Sequence, residues 1–531
     1  MSRRNKIEIK PTITDRVVSY FNPVRGAQRM RARMTMALAG GYTGASKKRR
    51  QTSSWTTSGG DADSDILTDL PVLRERSRDL IRNNPLATGV LNTKVGNVVG
   101  TGLRLQSQID SEYLGLSDDE ADNWQATVER EFRLWAESKD CDVSRTLNFY
   151  AQQELAFSSA LENGDVFASL PYIERKNNIY SLAIQLIEAD RVCNPDWKTD
   201  DDKIAGGVER DSQGAPIAYH ILKQHPGSLI RGSSKAEWTK INAYGSNTNR
   251  QNVLHLFRKR RPGQTRGVPD LAPVIESLRQ LGDYTEAELT AAVTSAMFTI
   301  FVKSETGDGL GAMEPTTETG AKPTDKDFKM SPGAILDLLP GESIETADPS
   351  RPNQGFDPFV QAILYQVGVA LELPFEVLIQ RFNSSYSASR AALEQAWVFF
   401  RARRKWLTDN FCQPIYEAWM YEAVALGRIS APGFMRDQAV RKAYLGALWV
   451  GPAKPVLDLV KEANGRAIME DRGWSTAAEN TTEMTGGDWD QKHKQRSKEH
   501  KKRVEADLEP QMTVVEIEKE PDPDKDKNDE D

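Results

Sequence analysis

The sequence predicts an α+β fold that is mainly helical, and three observations carry this expectation. Apolar residues recur at steps of three and four through two long stretches, 356–373 and 388–419. Between 165 and 257, shorter stretches alternate apolar and polar residues and are rich in β-branched side chains, as strands with one buried face require. No run of eighteen apolar residues exists, so none of the predicted helices spans a bilayer.

A chain of 531 residues exceeds one ordinary core, and three or four structural units are expected. Composition is globular, at 39% apolar and 27% charged, and the N-terminus lacks the apolar segment of a secretory signal. The three cysteines, Cys141, Cys193 and Cys412, lie far apart, which fits reduced, mostly buried thiols. None of the five histidines is spaced for a zinc site. The net charge of −7 is unevenly spread. Residues 1–50 hold thirteen Lys/Arg against two acids, and the last sixteen hold nine acids against three lysines. The basic start suits nucleic acid or an acidic protein, or is simply a solvated, partly disordered arm.

The elements follow in order. Residues 41–65 are Gly-, Ser- and Thr-rich and read as a link with no core. A helix begins near Asp69, with Thr68 or Asp69 as cap, Pro71 in the first turn and Leu73, Leu80 and Ile81 on its face. Asn84-Pro85 interrupts it, the period resumes over 86–98, and Gly100 and Gly102 end it. Trp124, Val128, Phe132 and Trp135 form one stripe of the next helix, and 146–161 is helical too. Strands are expected over 165–172 and 180–192, a hairpin over 205–224 turning at Asp211-Ser-Gln-Gly214, and a strand over 252–257 that runs into Arg258-Lys-Arg-Arg261.

Gly267-Val-Pro-Asp270 opens a helix whose apolar face is Ile275, Leu278, Gly282 and Leu289. Glu276, Arg279, Asp283 and Glu286 gather within about 80° on another arc. A strand at 298–302, a Gly/Thr/Lys-rich insert to Asp327 and a second apolar run at 335–342 follow. The 356–373 helix carries Phe359, Ile363, Val367 and Ala370 on its face, and Pro374 breaks it. Then comes a polar run, Arg381, Asn383, Ser384, Ser385, Tyr386 and Ser387 around Phe382, without apolar period. Ser387 or Ser389 is placed to cap the long helix over 388–427. On that helix Arg401, Arg403, Arg404 and Lys405 form a basic patch, suited to subunit ion pairs ahead of nucleic acid. Beyond it, Trp449, Leu457 and Ile468 anchor a short helical region. A highly charged helix starts at Gly487-Asp-Trp489, and from Glu509 the chain is acidic, proline-punctuated and expected to be disordered.

Several motifs recur in a set order. They are Arg78-Asp-Leu-Ile-Arg-Asn-Asn-Pro85 with Gly89 and Asn97-Val-Val-Gly-Thr-Gly-Leu103, then Leu339-Pro-Gly-Glu342, then Leu373-Pro-Phe-Glu376. The polar Ser/Tyr loop, Ser387-Ala-Ser-Arg-Ala-Ala392 and Pro414 to Trp419 complete the order. This arrangement, over roughly 15–500, resembles the portal proteins of tailed phages, lambda type. The resemblance implies a portal fold with wing, stem, clip and crown, assembled as a ring of twelve around a central channel. It implies an arm over 1–68, a wing over 69–268, stem helices over 269–296 and 354–373 and a clip over 297–353. A channel loop over 374–387, a long helix over 388–427, a crown over 428–480 and a charged tail over 481–531 complete the division. It further implies double-stranded DNA in the channel, touched by the loop residues, with the 276/279/283/286 arc lining the stem. Ile275, Leu278, Leu289, Phe359, Ile363 and Val367 would pack between subunits, because one small domain cannot cover both helices. Implied partners are the terminase large subunit, a head-tail connector or adaptor, and the major capsid and scaffold proteins. The implied place is the capsid vertex of the virion, after assembly in the host cytoplasm.

Enzyme motifs are missing: there is no G-x-x-x-x-G-K-[ST], H-E-x-x-H or G-x-S-x-G, and no cofactor, metal or membrane partner is expected. Two alternatives stay open. A metal-dependent DNA-processing enzyme would use acids such as Asp200, Asp201 and Asp202, and would cut plasmid with magnesium. A non-ring DNA-binding scaffold protein would bind duplex as a monomer, with steep salt dependence.

Overall fold

The computed structural model describes residues 12–38, 45, 50–57, 59–229, 236–296, 300–304, 342–346, 355–382, 385–456, 458–506 and 508. Two compact units divide at Asp61. The first is a helical hairpin, α1 (Ile13–Phe21) and α2 (Pro23–Leu38). Thr12 and Asp15 cap α1 reciprocally, with the Thr12 N–H donating to Asp15 at 3.0 Å. Residues 13–38, expected as part of a partly disordered arm, are therefore helical.

The second unit opens with α3 (Ala62–Ile66), α4 (Leu70–Asn83) and α5 (Pro85–Val98). The expected link reached too far: Ala62 is buried, and Asp63 accepts from Arg210 (2.8 Å), the Thr265 N–H (2.8 Å) and the Thr265 hydroxyl (2.6 Å). Those partners lie 147 and 202 residues away, beyond any local signal. Asn84 accepts from the N–H groups of Leu86 and Ala87, so the Asn-Pro step ends one helix and caps the next. Then follow β1 (Arg104–Ser107), α6 (Ser111–Leu114), α7 (Asp118–Glu137), α8 (Phe149–Asn163), β2 (Asp165–Ser169) and β3 (Gln185–Ile187). Beyond them are β4 (Ile204–Ala205), β5 (Val208–Arg210), β6 (Pro216–Leu222), β7 (Trp238–Asn242) and β8 (Val253–Phe257). One antiparallel sheet has the order β3-β2-β8, a second β4-β5-β6-β7. The result is a mixed architecture, helical with sheets.

Next come α9 (Ile275–Ala296), β9 (Ile300–Ser304), β10 (Glu342–Thr346), α10 (Phe356–Ala370), α11 (Phe375–Leu378) and α12 (Tyr386–Leu407). β9 and β10 pair antiparallel, and the insert between them lies outside the described residues. The expected single helix after the loop is divided: a π turn at Thr408–Cys412 separates α12 from α13 (Gln413–Ala425). Pro414 explains it, since its ring clashes with an α-helical carbonyl one turn back and a wider turn relieves the clash.

The chain closes with α14 (Gln438–Tyr444), β11 (Ala447–Val450), α15 (Leu459–Asp471), α16 (Ala477–Thr485) and α17 (Trp489–Glu505). β11 pairs antiparallel with β1, so part of the expected crown segment is woven into the main body. Its Trp449 joins Phe132, Trp135, Phe149, Phe411, Tyr416 and Trp419 in an aromatic nest at the centre of the core. Ile468, expected as an anchor, is exposed, and Leu457 lies outside the described residues. A smaller core between the sheets holds Phe167, Ile187, Val208, Tyr219 and Ile221.

Candidate channel surface and the junction behind it

α9 and α10 pack side by side, and their apolar faces are covered only near one end. Ile275, Leu278 and Leu281 of α9, with Leu364 and Val367 of α10, belong to the main core. Tyr284 then stacks on Phe356 and meets Phe359 edge-on, at 5.5 and 5.2 Å. Farther along, Leu289 is 64% exposed and Phe359 51%, while Ile363 is half-buried. The expectation that this whole face needs a neighbouring copy is therefore corrected for Ile275, Leu278 and Val367, which the chain covers itself. Sequence period finds an apolar face, but not which protein covers it.

Glu276, Arg279, Asp283 and Glu286 are all exposed, on the side of α9 away from the buried stripe. Arg279 pairs with Asp283 at 3.2 Å, the favourable i,i+4 spacing. The arc thus presents mixed charge with an acidic balance.

The polar loop is shorter than the sequence suggests. α11 occupies Phe375–Leu378, and Gln380 turns the chain with φ +53°. Arg381 and Phe382 are exposed, and Asn383 and Ser384 lie outside the described residues. Ser385 caps α12, accepting from the Ala388 N–H at 3.4 Å, so the expected cap at Ser387 or Ser389 is corrected. Tyr386 and Ser387 sit exposed in the first helical turn.

Behind the loop, an ion network joins the root of α9, the exit of α10 and the middle of α12. Asp270 contacts Lys94 of α5, Arg260 (3.5 Å) and Arg403 (3.5 Å). Arg403 also holds Glu372 at 2.7 Å, and Arg258 holds the same carboxylate at 3.0 Å. Glu372 has φ +62°, the reversal by which the chain leaves α10. Burial opposes the charge on both carboxylates. Lys94 and Arg403 overcome it at Asp270, and Arg403 and Arg258 at Glu372, so both titrate below their ordinary values. Burial also pushes the Lys94 ammonium below its usual range, against the pull of Asp270.

Sequence reasoning missed this junction, although Asp270 and Arg258–Arg261 stood out as a helix opening and a basic run. The patch on α12 is likewise resolved within the chain. Arg404 donates to the carbonyls of Val98 (3.0 Å), Asn97 (2.9 Å) and Pro452 (3.0 Å), and Lys405 pairs with Asp409 at 2.9 Å. Arg401 reaches Glu483 at 3.9 Å. The expected subunit or nucleic-acid role is corrected for Arg403 and Arg404, whose guanidinium groups are spent on the fold.

A second hub fixes the segment that leads into α9. Asp165 is fully buried and accepts from Arg74 (2.7 Å), Arg266 (2.6 Å), His255 (3.1 Å) and the Gly267 N–H (3.1 Å). Burial opposes its charge, and Arg266 and Arg74 outweigh it, holding the carboxyl well below its ordinary value. Gly267 is obligatory here, because a Cβ would stand 1.9 Å from the Gly164 carbonyl oxygen.

Asp200 and Asp201 order a turn instead of gathering into a metal site. Asp200 accepts from Asn194 and the Gly206 N–H, Asp201 from the N–H groups of Lys203 and Ile204. Among the described residues, Glu188, Asp190 and His225 alone approach metal-ligand geometry, and Arg74 and Arg78 already hold Asp190.

Comparison with known proteins decides the family. A sequence profile described as "Phage portal protein, lambda family" matches residues 48–404. The chain belongs to the lambda family of phage portal proteins. "Portal protein B" of Escherichia phage lambda is 24% identical over 493 residues, 89% of this chain and 91% of that protein. The "Portal protein" of Escherichia phage N15 is 24% identical over 480 residues, 86% of this chain and 89% of its own length. Among solved structures, a chain from "Neck of empty GTA particle computed with C6 symmetry" is 13% identical. It covers 88% of this chain and 100% of its own length, with a TM-score of 0.43. Portal function is therefore established for this chain by family, and the family is structural, not enzymatic. Among the described residues no helix is long and apolar enough to cross a membrane.

Proposed function

We propose that this portal protein assembles as a ring, with twelve copies, at one capsid vertex of the virion, where DNA is packaged inward and later ejected through the channel. The single observation that carries the ring is the half-covered pair α9 and α10. Their near ends close within the chain, while Leu289 and Phe359 stay exposed beside an acidic, mixed-charge arc. In a ring, neighbouring copies cover the apolar side and the arc faces the channel. Mixed charge suits a conduit, because purely cationic contacts would hold phosphates tightly and in a salt-dependent way.

Arg381, Phe382, Tyr386 and Ser387 are exposed around the loop and suit weak, exchanging contacts to a sliding duplex. On this reading α9 and α10 are the stem, β9 and β10 belong to the clip, residues 69–268 are the wing and residues 428–480 the crown. The clip docks the terminase large subunit first and a head-tail connector afterwards, and the rim meets capsid and scaffold proteins. The chain itself performs no catalysis. Negative-stain microscopy of the purified protein tests the ring: closed rings with a central hole support it, and monomers at micromolar concentration overturn it.

A further inference from the structure

We infer that α17 is a second, channel-independent surface for double-stranded DNA, which it engages through the phosphate backbone. Residues 492–503 carry seven Lys/Arg and a single acid, Glu499. Every residue of this stretch is exposed, and none of the seven cations forms an ion pair among the described residues. α12 offers the contrast: its four neighbouring cations all have partners inside the chain. Lys494 feels Asp490 one turn before it, but the remaining like charges three and four residues apart repel one another and weaken the helix unless an anion arrives. Here only the last turn, with Lys502 and Arg503, gains from the helix dipole.

The helix is nonetheless firmly started. Asp488 accepts from the Gln491 N–H at 3.1 Å, Trp489 stacks on His493 with ring centres 4.8 Å apart, and Lys492 bonds Thr485. Its seventeen residues form a rod of about 25 Å. At 100° per residue, Lys494, Lys498, Lys501 and Lys502 share an arc of about 100°. Such an arc can meet one strand of phosphates without reading bases, so the binding is independent of sequence. Duplex DNA as the polyanion rests on the proposed function above, and the charge complementarity of the helix suits it as occupant. This surface goes beyond the channel reading and does not depend on the loop.

The test uses the purified full-length protein and covalently closed circular duplex, which cannot thread a preformed ring; linear duplex reports the channel separately. The variant K494Q/K498Q/K501Q/K502Q keeps side chains of similar helix propensity, and circular dichroism verifies the helix. Wild type should bind circles at least tenfold more tightly than the variant at low salt. Its plot of log affinity against log salt should be steeper by about 3 to 4, from roughly 0.9 per phosphate neutralised. Equal affinities and equal slopes overturn the proposal. A chain ending at residue 508 adds a further arm. If the lysines matter only once 509–531 is removed, the acidic segment occupies the helix, and the DNA assignment is overturned.

Discussion

Arg403 of α12 holds the Glu372 carboxylate at 2.7 Å across the point where the chain leaves α10 with a left-handed backbone. That contact, shared with Arg258 and extended through Asp270 to Lys94, ties the exit of α10 to the root of α9, to α5 and to α12. Arg403→Ala should destabilise the chain by about 2 kcal/mol, below the roughly 3–5 of a fully buried pair because Glu372 keeps partial solvent access. A thermal-unfolding double-mutant cycle with Glu372→Gln checks it: additive effects would show that the pair is not coupled.

Leu278 and Leu289 lie on one helix, one buried and the other exposed, and on the proposed ring their substitutions should separate folding from assembly. Leu278→Asp places a charge in the closed core and should cost about 3–5 kcal/mol, unfolding the body as well as abolishing rings. Leu289→Asp alters an exposed side chain and should leave the monomer's melting temperature within a few degrees while preventing ring formation. Sizing chromatography with calorimetry distinguishes them. Normal rings from Leu289→Asp would remove this end of α9 from the subunit interface.

Acid should destabilise the chain in two stages. Burial keeps His255 neutral below its ordinary 6.5, against the pull of Asp165, so the unfolded chain binds its proton first and stability falls as pH drops below about 6.5. Asp165, Asp270 and Glu372 titrate below their ordinary 3.8 and 4.5, so their contribution is complete above those values, begins to decline as pH drops below them, and is lost as pH falls through the lower folded-state values. Urea midpoints between pH 7 and 3 test this. His255→Gln should flatten the first stage only, and an unchanged slope between pH 6.5 and 5 would refute its assignment.

Replacing 381–384 with Gly/Ser while keeping Ser385 should leave the cap, the fold and the rings intact. Packaging completion or DNA retention in heads should fall. Ser385→Ala alone should cost about 1 kcal/mol locally. Wild-type DNA content in heads carrying the replaced loop would return this segment to a plain connector.

The sequence by itself determined what short-range chemistry controls. Asn84-Pro85 had to end one helix and start another, the Trp124-to-Trp135 stripe had to face a core, and ordered motifs carried the family. The exposed 276/279/283/286 arc was legible as well, since helical period alone sorts a helix into faces. Only the tertiary structure decided which apolar face is already covered: Leu278 and Leu289 share a pattern, yet one is fully buried and the other 64% exposed. It alone decided that Arg403 and Arg404 serve the fold while Lys498, Lys501 and Lys502 of α17 form no ion pair among the described residues. An arginine's role depends on carboxylates and carbonyls tens to hundreds of residues away, and periodicity carries no information over that distance.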